Sequence, residues 1–186
     1  MATTQASHPS LAHAIAEVAM LRGTFTLRSG KTSNYYLDKY LFSTRPELLK
    51  QLAPLFADRI AKVEHGTGRR VARLAGAELG GIPLVTVASL ETGLPSIFVR
   101  NKKKDYGTAK QLEGVVKPGD VVVLVEDVAT TGGQALEAVG VLREAGADVI
   151  AVVATVDRLE GARENVEKAG LRFEALFTKR DLGVAE

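Results

Sequence analysis

The chain has 186 residues, 46% hydrophobic and 25% charged, with no cysteine and a net charge of +2. That size suits one domain with a real core, and the missing cysteine excludes disulfides, thiolate metal sites and cysteine nucleophiles. Five basic residues (Arg100, Lys102, Lys103, Lys104, Lys110) against Asp105 give 100–110 a local +4 and leave the rest at −2, which excludes a broad nucleic-acid-binding face.

Ser10 reads as the N-cap of a first helix with Leu11, Ile15, Val18 and Ala19 on one face. FTLRSGKTSNYYLD, residues 25–38, holds two short β-like pieces about Ser29–Gly30, a hairpin. Thr44 followed by Pro46 predicts the cap and early turn of a second helix to about Val63. Pro54 kinks or splits it, and 64–69 reads as a loop. Strand and helix patterns then alternate, which predicts a mostly parallel sheet flanked by helices. Strands are expected at Val71–Leu74, Ser96–Val99, Val121–Val125, Val149–Val156 and about 172–177. Helices are expected at Ile82–Glu91, at Gln134–Ala145 ended by Gly146, and at about 161–169 ended by Gly170. Residues 1–186 are thus expected to form a single doubly wound α/β domain with a small N-terminal helix–hairpin hood, mainly 10–40. No apolar run approaches the roughly 20 residues that span a bilayer. The polar start MATTQASHPS lacks the features of a signal peptide, so a cytoplasmic protein with no membrane partner is expected.

The chemistry is densest in VVVLVEDVATTGGQ, residues 121–134. A buried strand runs into two acids, then into small residues and a helix start, at the strand end where open α/β sheets bind ligands. Thr130, Thr131, Gly132 and Gly133 can turn tightly and present backbone N–H groups beside a helix N-terminus, which suits phosphate. The adjacent carboxylates of Glu126 and Asp127 repel each other and call for ribose hydroxyls or a hydrated Mg²⁺. A plain strand-to-helix turn with a capping threonine is the alternative. Neither GxxxxGK[ST] nor GxGxxG is present.

This segment resembles the phosphoribosyl pyrophosphate (PRPP) motif of type I phosphoribosyltransferases. The resemblance implies that fold, with Glu126 and Asp127 on the ribose hydroxyls, Thr130, Thr131, Gly132, Gly133 and Gln134 around the 5-phosphate, and Val128 and Ala129 also binding PRPP. Gln134 stands where a small residue is common. Four further segments are similar to orotate phosphoribosyltransferases, and together the likeness covers nearly the whole chain. In the hood segment 25–38 it puts Arg28, Tyr35 and Tyr36 near orotate. In AGAELGGIP, 75–83, it implies a pyrophosphate loop with Glu78, Gly80 and Gly81, where many bacterial members carry lysine in place of Gly80. In RNKKKDYGTAKQLEG, 100–114, it implies a basic lid that closes over the neighbouring subunit's site. Arg100 and Lys104 match the family's usual pattern there, Lys103 is a helper, and Asn101 and Tyr106 replace a common lysine and histidine. In VDRLEGARE, 156–164, it sets Arg158 on the orotate carboxylate, whereas an Asp157–Arg158 pair capping the next helix is the structural alternative.

The implied activity is transfer of ribose 5-phosphate from PRPP to orotate, giving orotidine 5′-monophosphate and pyrophosphate in UMP synthesis. Arg100, Lys104 and Asp127 are the implied catalytic groups, Thr130 also faces the base, and Mg²⁺ acts mainly through substrate and water near Glu126 and Asp127. A homodimer is implied. Hypoxanthine–guanine enzymes usually carry an aspartate where this chain has Thr130. Transfer to another base and a non-catalytic PRPP sensor are the rival readings. Such sensors usually carry a DNA-binding domain, for which the short N-terminal segment leaves little room.

Overall fold

The computed structural model describes residues 8–26, 32–101 and 111–184. Two valine-rich strands, β6 (Val121–Ala129) and β7 (Asp148–Asp157), set the architecture. Val122 to Asp127 and Val149 to Asp157 are buried without a break, as expected of central strands covered on both faces. They belong to a six-stranded sheet that also holds β3 (Arg73–Ala77), β4 (Ser96–Val99), β5 (Leu112–Glu113) and β8 (Arg172–Thr178). The order is β5-β4-β3-β6-β7-β8, parallel except for the β4–β5 pair at one edge.

Alternation along β6 builds two cores from one strand. Val123 and Val125 face α3 (Pro46–Thr67) and α4 (Gly81–Thr92), while Val122 and Leu124 face α5 (Gly133–Glu144) and α6 (Ala162–Lys168). In α3, Leu52, Phe56, Ile60 and Val63 recur at helical spacing and are all buried. Fully burying each such side chain contributes about 1.5–3 kcal/mol. The first core also takes in Leu11, Ala12, Ile15 and Ala19 of α1 (Pro9–Ala19) and Phe42 of α2 (Lys39–Ser43). Between these helices lies an antiparallel hairpin, β1 (Met20–Thr26) and β2 (Thr32–Leu37), in the register Met20↔Leu37 to Thr26↔Thr32.

Several boundaries differ from expectation. The first helix starts at Pro9, whose missing N–H costs nothing in a first turn, so Ser10 lies inside it and His8 is the N-cap. Thr44 caps the end of α2 instead of opening α3, which Arg45 precedes. Pro54 is exposed within one unsplit 22-residue helix. Residues 64–67 are helical, and the helix stops at Gly68, a left-handed residue with φ 67°. The strand expected at 71–74 lies at 73–77, in register with Val122–Val125. β6 runs on through the acid pair to Ala129, and β5 carries too little periodicity to be foreseen. The turn at Ser29–Gly30 lies outside the described residues.

Candidate active site

The chain leaves β3 through α4 on one face of the sheet and β6 through α5 on the other. Because these two strands are neighbours, their carboxyl ends frame the crevice where an open sheet takes its ligand. A cavity of about 330 Å³ lies there, lined by Lys39, Glu78, Arg100, Asn101, Glu126 and Asp127 among others. A second, of about 70 Å³, is lined by Glu126 and residues 128–135.

The smaller cavity is the turn between β6 and α5. Gly132 holds φ 79°, which favours glycine, and a Cβ there would meet Val166 Cγ2 at a tight 3.2 Å. Asn165 Nδ2 donates to the Thr131 carbonyl at 2.9 Å and ties the turn to α6. Gly132 also serves as the N-cap of α5, which opens with Gly133 and Gln134, so its first N–H groups lack helical partners. Thr131, Gly133 and Gln134 are exposed and Thr130 is half-buried, leaving the turn free to meet an anion.

Beside it, Glu126 and Asp127 are almost fully buried, 7% and 1% exposed. Each is partly satisfied by local backbone: Asp127 N donates to Glu126 Oε1 at 3.2 Å, and Val128 N to Asp127 Oδ1 at 2.5 Å. Glu126 Oε2 is buried with no hydrogen-bond partner. Burial first, and then the adjacent Asp127, pushes Glu126 up to about 8. The Nζ of Lys39 lies 2.8 Å from Asp127 Oδ2. Burial works against the Lys39 charge, but its contact with Asp127 and the field of Glu126 outweigh it and hold the amine above its ordinary value. Lys39 opens α2, where the Asp38 carboxylate caps the helix by accepting from Tyr40 N at 3.1 Å. Sequence reading passed over Lys39, because only the fold brings α2 to the end of β6.

Across the crevice, the turn after β3 approaches the same carboxylate. A Cβ at Gly80 would lie 1.6 Å from Asp127 Oδ2, so with this backbone a side chain at position 80 would require the Asp127 carboxylate to shift. Glu78 Oε1 accepts from Asn101 N at 2.6 Å and fastens this turn to the start of the basic segment. The ends of that segment are pinned together: Arg100 N donates to the Gln111 carbonyl at 2.8 Å, and Gln111 Nε2 to the Arg100 carbonyl at 2.9 Å. Arg100 Nη1 stands 3.8 Å from Glu113 Oε1. Lys103, Lys104 and Tyr106 lie outside the described residues, as does Arg28.

One strand over, Arg158 N donates to the Ala129 carbonyl at 2.9 Å, which seats the residue after β7 beside the end of β6. Its Nη2 donates to Tyr35 Oη at 3.2 Å and pairs with Glu160 Oε1 at 2.9 Å, and its guanidinium carbon lies 5.4 Å from the Tyr35 ring centroid. Asp157 does not pair with Arg158. Its Oδ1 accepts from Leu159 N at 2.8 Å, and Gly161 is the N-cap of α6. Burial raises Asp157 above the usual carboxylate range. Tyr35 and Tyr36 alternate along β2: Tyr36 is exposed and packs on Phe25, ring centroids 5.7 Å apart. The fold thus brings Tyr35, and not Tyr36, to Arg158.

A parallel sheet with an acid pair and a glycine turn at its central carboxyl end is the arrangement of type I phosphoribosyltransferases, and solved structures agree. Crystal structures of orotate phosphoribosyltransferases from Aeropyrum pernix and from Mycobacterium tuberculosis, the latter in complex with PRPP, match with TM-scores of 0.79 and 0.75. They are 32% and 29% identical, covering 92% and 95% of this chain and 95% and 99% of theirs. The orotate phosphoribosyltransferase of Natronomonas pharaonis is 48% identical over 160 residues, 86% of this chain and 87% of that one. No family model matches the sequence. With that identity and coverage, the chain belongs to the orotate phosphoribosyltransferase family.

Proposed function

We infer that this chain transfers the ribose 5-phosphate of PRPP to orotate, releasing orotidine 5′-monophosphate and pyrophosphate in the synthesis of UMP. The observation that carries the reading is the seating of Arg158 and Tyr35 against the end of β6, beside the acid pair and the glycine turn. A cation and an aromatic face suit the carboxylate and flat ring of orotate. Thr130 lies between these groups in sequence and contributes a hydroxyl toward the base. Arg28 and Tyr36 are proposed for the hood's share of base binding.

The donor's 5-phosphate is read onto the N–H groups of 130–134, with Val128 and Ala129 supplying backbone to the same wall. Glu126 and Asp127 accept from the ribose hydroxyls. Glu78, Gly80 and Gly81 border the pyrophosphate, with Arg100, Lys103, Lys104 and Tyr106 closing over it. In the reaction, orotate N1 bonds to ribose C1 as the bond from C1 to pyrophosphate oxygen breaks. Positive charge grows on the sugar and negative charge on the leaving group, so positioning and electrostatics carry the catalysis. Asp127 steadies the sugar, and Arg100 and Lys104 steady the pyrophosphate. The N1 proton is lost to solvent, or orotate arrives without it. Oxygen donors such as the unpartnered Glu126 Oε2 fit Mg²⁺, but among the described residues no three His, Asp or Glu gather into a metal cluster. We read the ion as entering mainly with substrate and water near Glu126 and Asp127, where it would supply charge neutralisation.

We read 1–186 as one domain, since α1 of the hood shares its core with the sheet. We also propose a homodimer in which 100–114 acts on the partner's site, its ends fixed by the Arg100–Gln111 bonds. Mixing Lys104→Ala with Asp127→Ala then restores turnover that neither has alone; no restoration contradicts the crossed arrangement. Among the described residues no helix is long and apolar enough to cross a membrane, and we propose a cytoplasmic location. The activity is tested by offering orotate, adenine, hypoxanthine and uracil in parallel with PRPP and Mg²⁺. Consumption of orotate alone supports the reading, turnover of adenine overturns it, and PRPP binding without turnover favours a sensor.

A further inference from the structure

The acid proposed to receive the ribose hydroxyls is closed off. Asp127 Oδ1 is taken by Val128 N, and Oδ2 lies under the Lys39 ammonium on one side and the Gly80 backbone on the other. With its side chain 1% exposed, no ligand hydroxyl reaches it until a covering group moves. Gly80 belongs to a turn packed on β3 and α4, whereas Lys39 is a long side chain, 30% exposed, on a five-residue helix. The movable cover is therefore Lys39. Among the described residues it is the only basic group within ion-pair distance of either Glu126 or Asp127. Leaving Asp127 unaccompanied would strand a charge where its desolvation is costly. The ammonium needs an anionic destination, and the 330 Å³ cavity it already lines, with Arg100, Glu78 and Asn101, is where a pyrophosphate group would stand.

We propose that Lys39 is a donor-binding residue that exchanges partners: in the free protein its ammonium covers Asp127, and when PRPP binds it moves to a pyrophosphate oxygen, uncovering Asp127 for the ribose hydroxyls. Neither group is left without a partner: one ion pair is traded for a charge-assisted phosphate contact by Lys39 and charge-assisted hydroxyl bonds to Asp127. The exchange rests on the reading of this site as a PRPP site.

The test compares wild type, Lys39→Arg and Lys39→Met by calorimetry with PRPP, by calorimetry with inorganic pyrophosphate, and by orotate turnover. The proposal expects Lys39→Met to weaken PRPP and pyrophosphate about tenfold or more, as loss of one charge-assisted contact implies. The orotate KM should stay within about twofold, and Lys39→Arg should recover most of the donor affinity. Equal or tighter PRPP binding by Lys39→Met would mean that the lysine is only a static cover, and would overturn the exchange. If Lys39→Met fails to fold, Lys39→Gln takes its place with the same expectation. Failure of wild type itself to bind PRPP would instead strike the underlying reading of the site.

Discussion

The proposed donor side and acceptor side of this crevice are built in opposite ways. The part of the donor side read onto the ribose and its 5-phosphate is local: one strand, its acid pair and the turn into α5 lie within fourteen residues of sequence, and its proposed phosphate contacts are largely backbone. The acceptor side is assembled from afar, with Tyr35 of the hood meeting Arg158 across 123 positions. A backbone cradle tolerates changes of side chain but not of glycine, while a side-chain clamp can be retuned one residue at a time. On the proposed reading, use of a phosphoribosyl donor rests in the rigid element, and base choice in the adjustable one.

The largest effect that tests this division is expected on the donor side. Asp127→Ala removes the buried acid and should lower turnover by about 10²–10³, the range for losing a preorganised electrostatic group. Its orotate binding should change little. On the acceptor side, Arg158→Ala should raise the orotate KM by about 30-fold, equivalent to about 2 kcal/mol for truncating one partner of a charge pair. Its PRPP affinity, read by calorimetry, should be unaltered. Loss of both ligands together in either variant would break the division.

Glu126 sharpens it through pH. Burial and Asp127 raise this carboxyl from 4.5 to about 8, so the folded state holds a proton that the unfolded chain has lost across that window. Stability therefore falls as pH rises from about 4.5 to about 8. Glu126→Gln abolishes the titration, so thermal melts of the two proteins should agree near pH 4, below the unfolded value of 4.5. Near pH 9 the variant should be the more stable, by a few kcal/mol; parallel melts at all pH values would contradict the burial argument. The smallest effect belongs to the hood. Tyr35→Phe deletes one hydrogen bond to Arg158 and should raise the orotate KM a few-fold, as suits about 0.5–1.5 kcal/mol, whereas Tyr36→Phe should leave it unchanged.

The same contrast explains what could be read without coordinates. Strands Ser96–Val99 and Val149–Val156 and the helix ended by Gly146 were legible because periodicity and glycine stops are local signals. So was the glycine turn between β6 and α5. Lys39 was not, because its importance comes from α2 packing beside β6, and no spacing in the sequence encodes that meeting. Nor was the choice between Tyr35 and Tyr36, which depends on which face of β2 turns toward Arg158. The close approach of Gly80 to Asp127 also appeared only in the fold. Pro54 misled in the other direction, since a long buried face kept α3 whole despite one lost backbone bond.

The most direct test of the whole account is a product balance. Purified protein, PRPP, Mg²⁺ and orotate are mixed, and nucleotide and pyrophosphate are quantified together over a time course. The account predicts orotidine 5′-monophosphate and pyrophosphate in equal amounts, formed as orotate disappears. Pyrophosphate released without nucleotide, or no products while PRPP still binds, would contradict it.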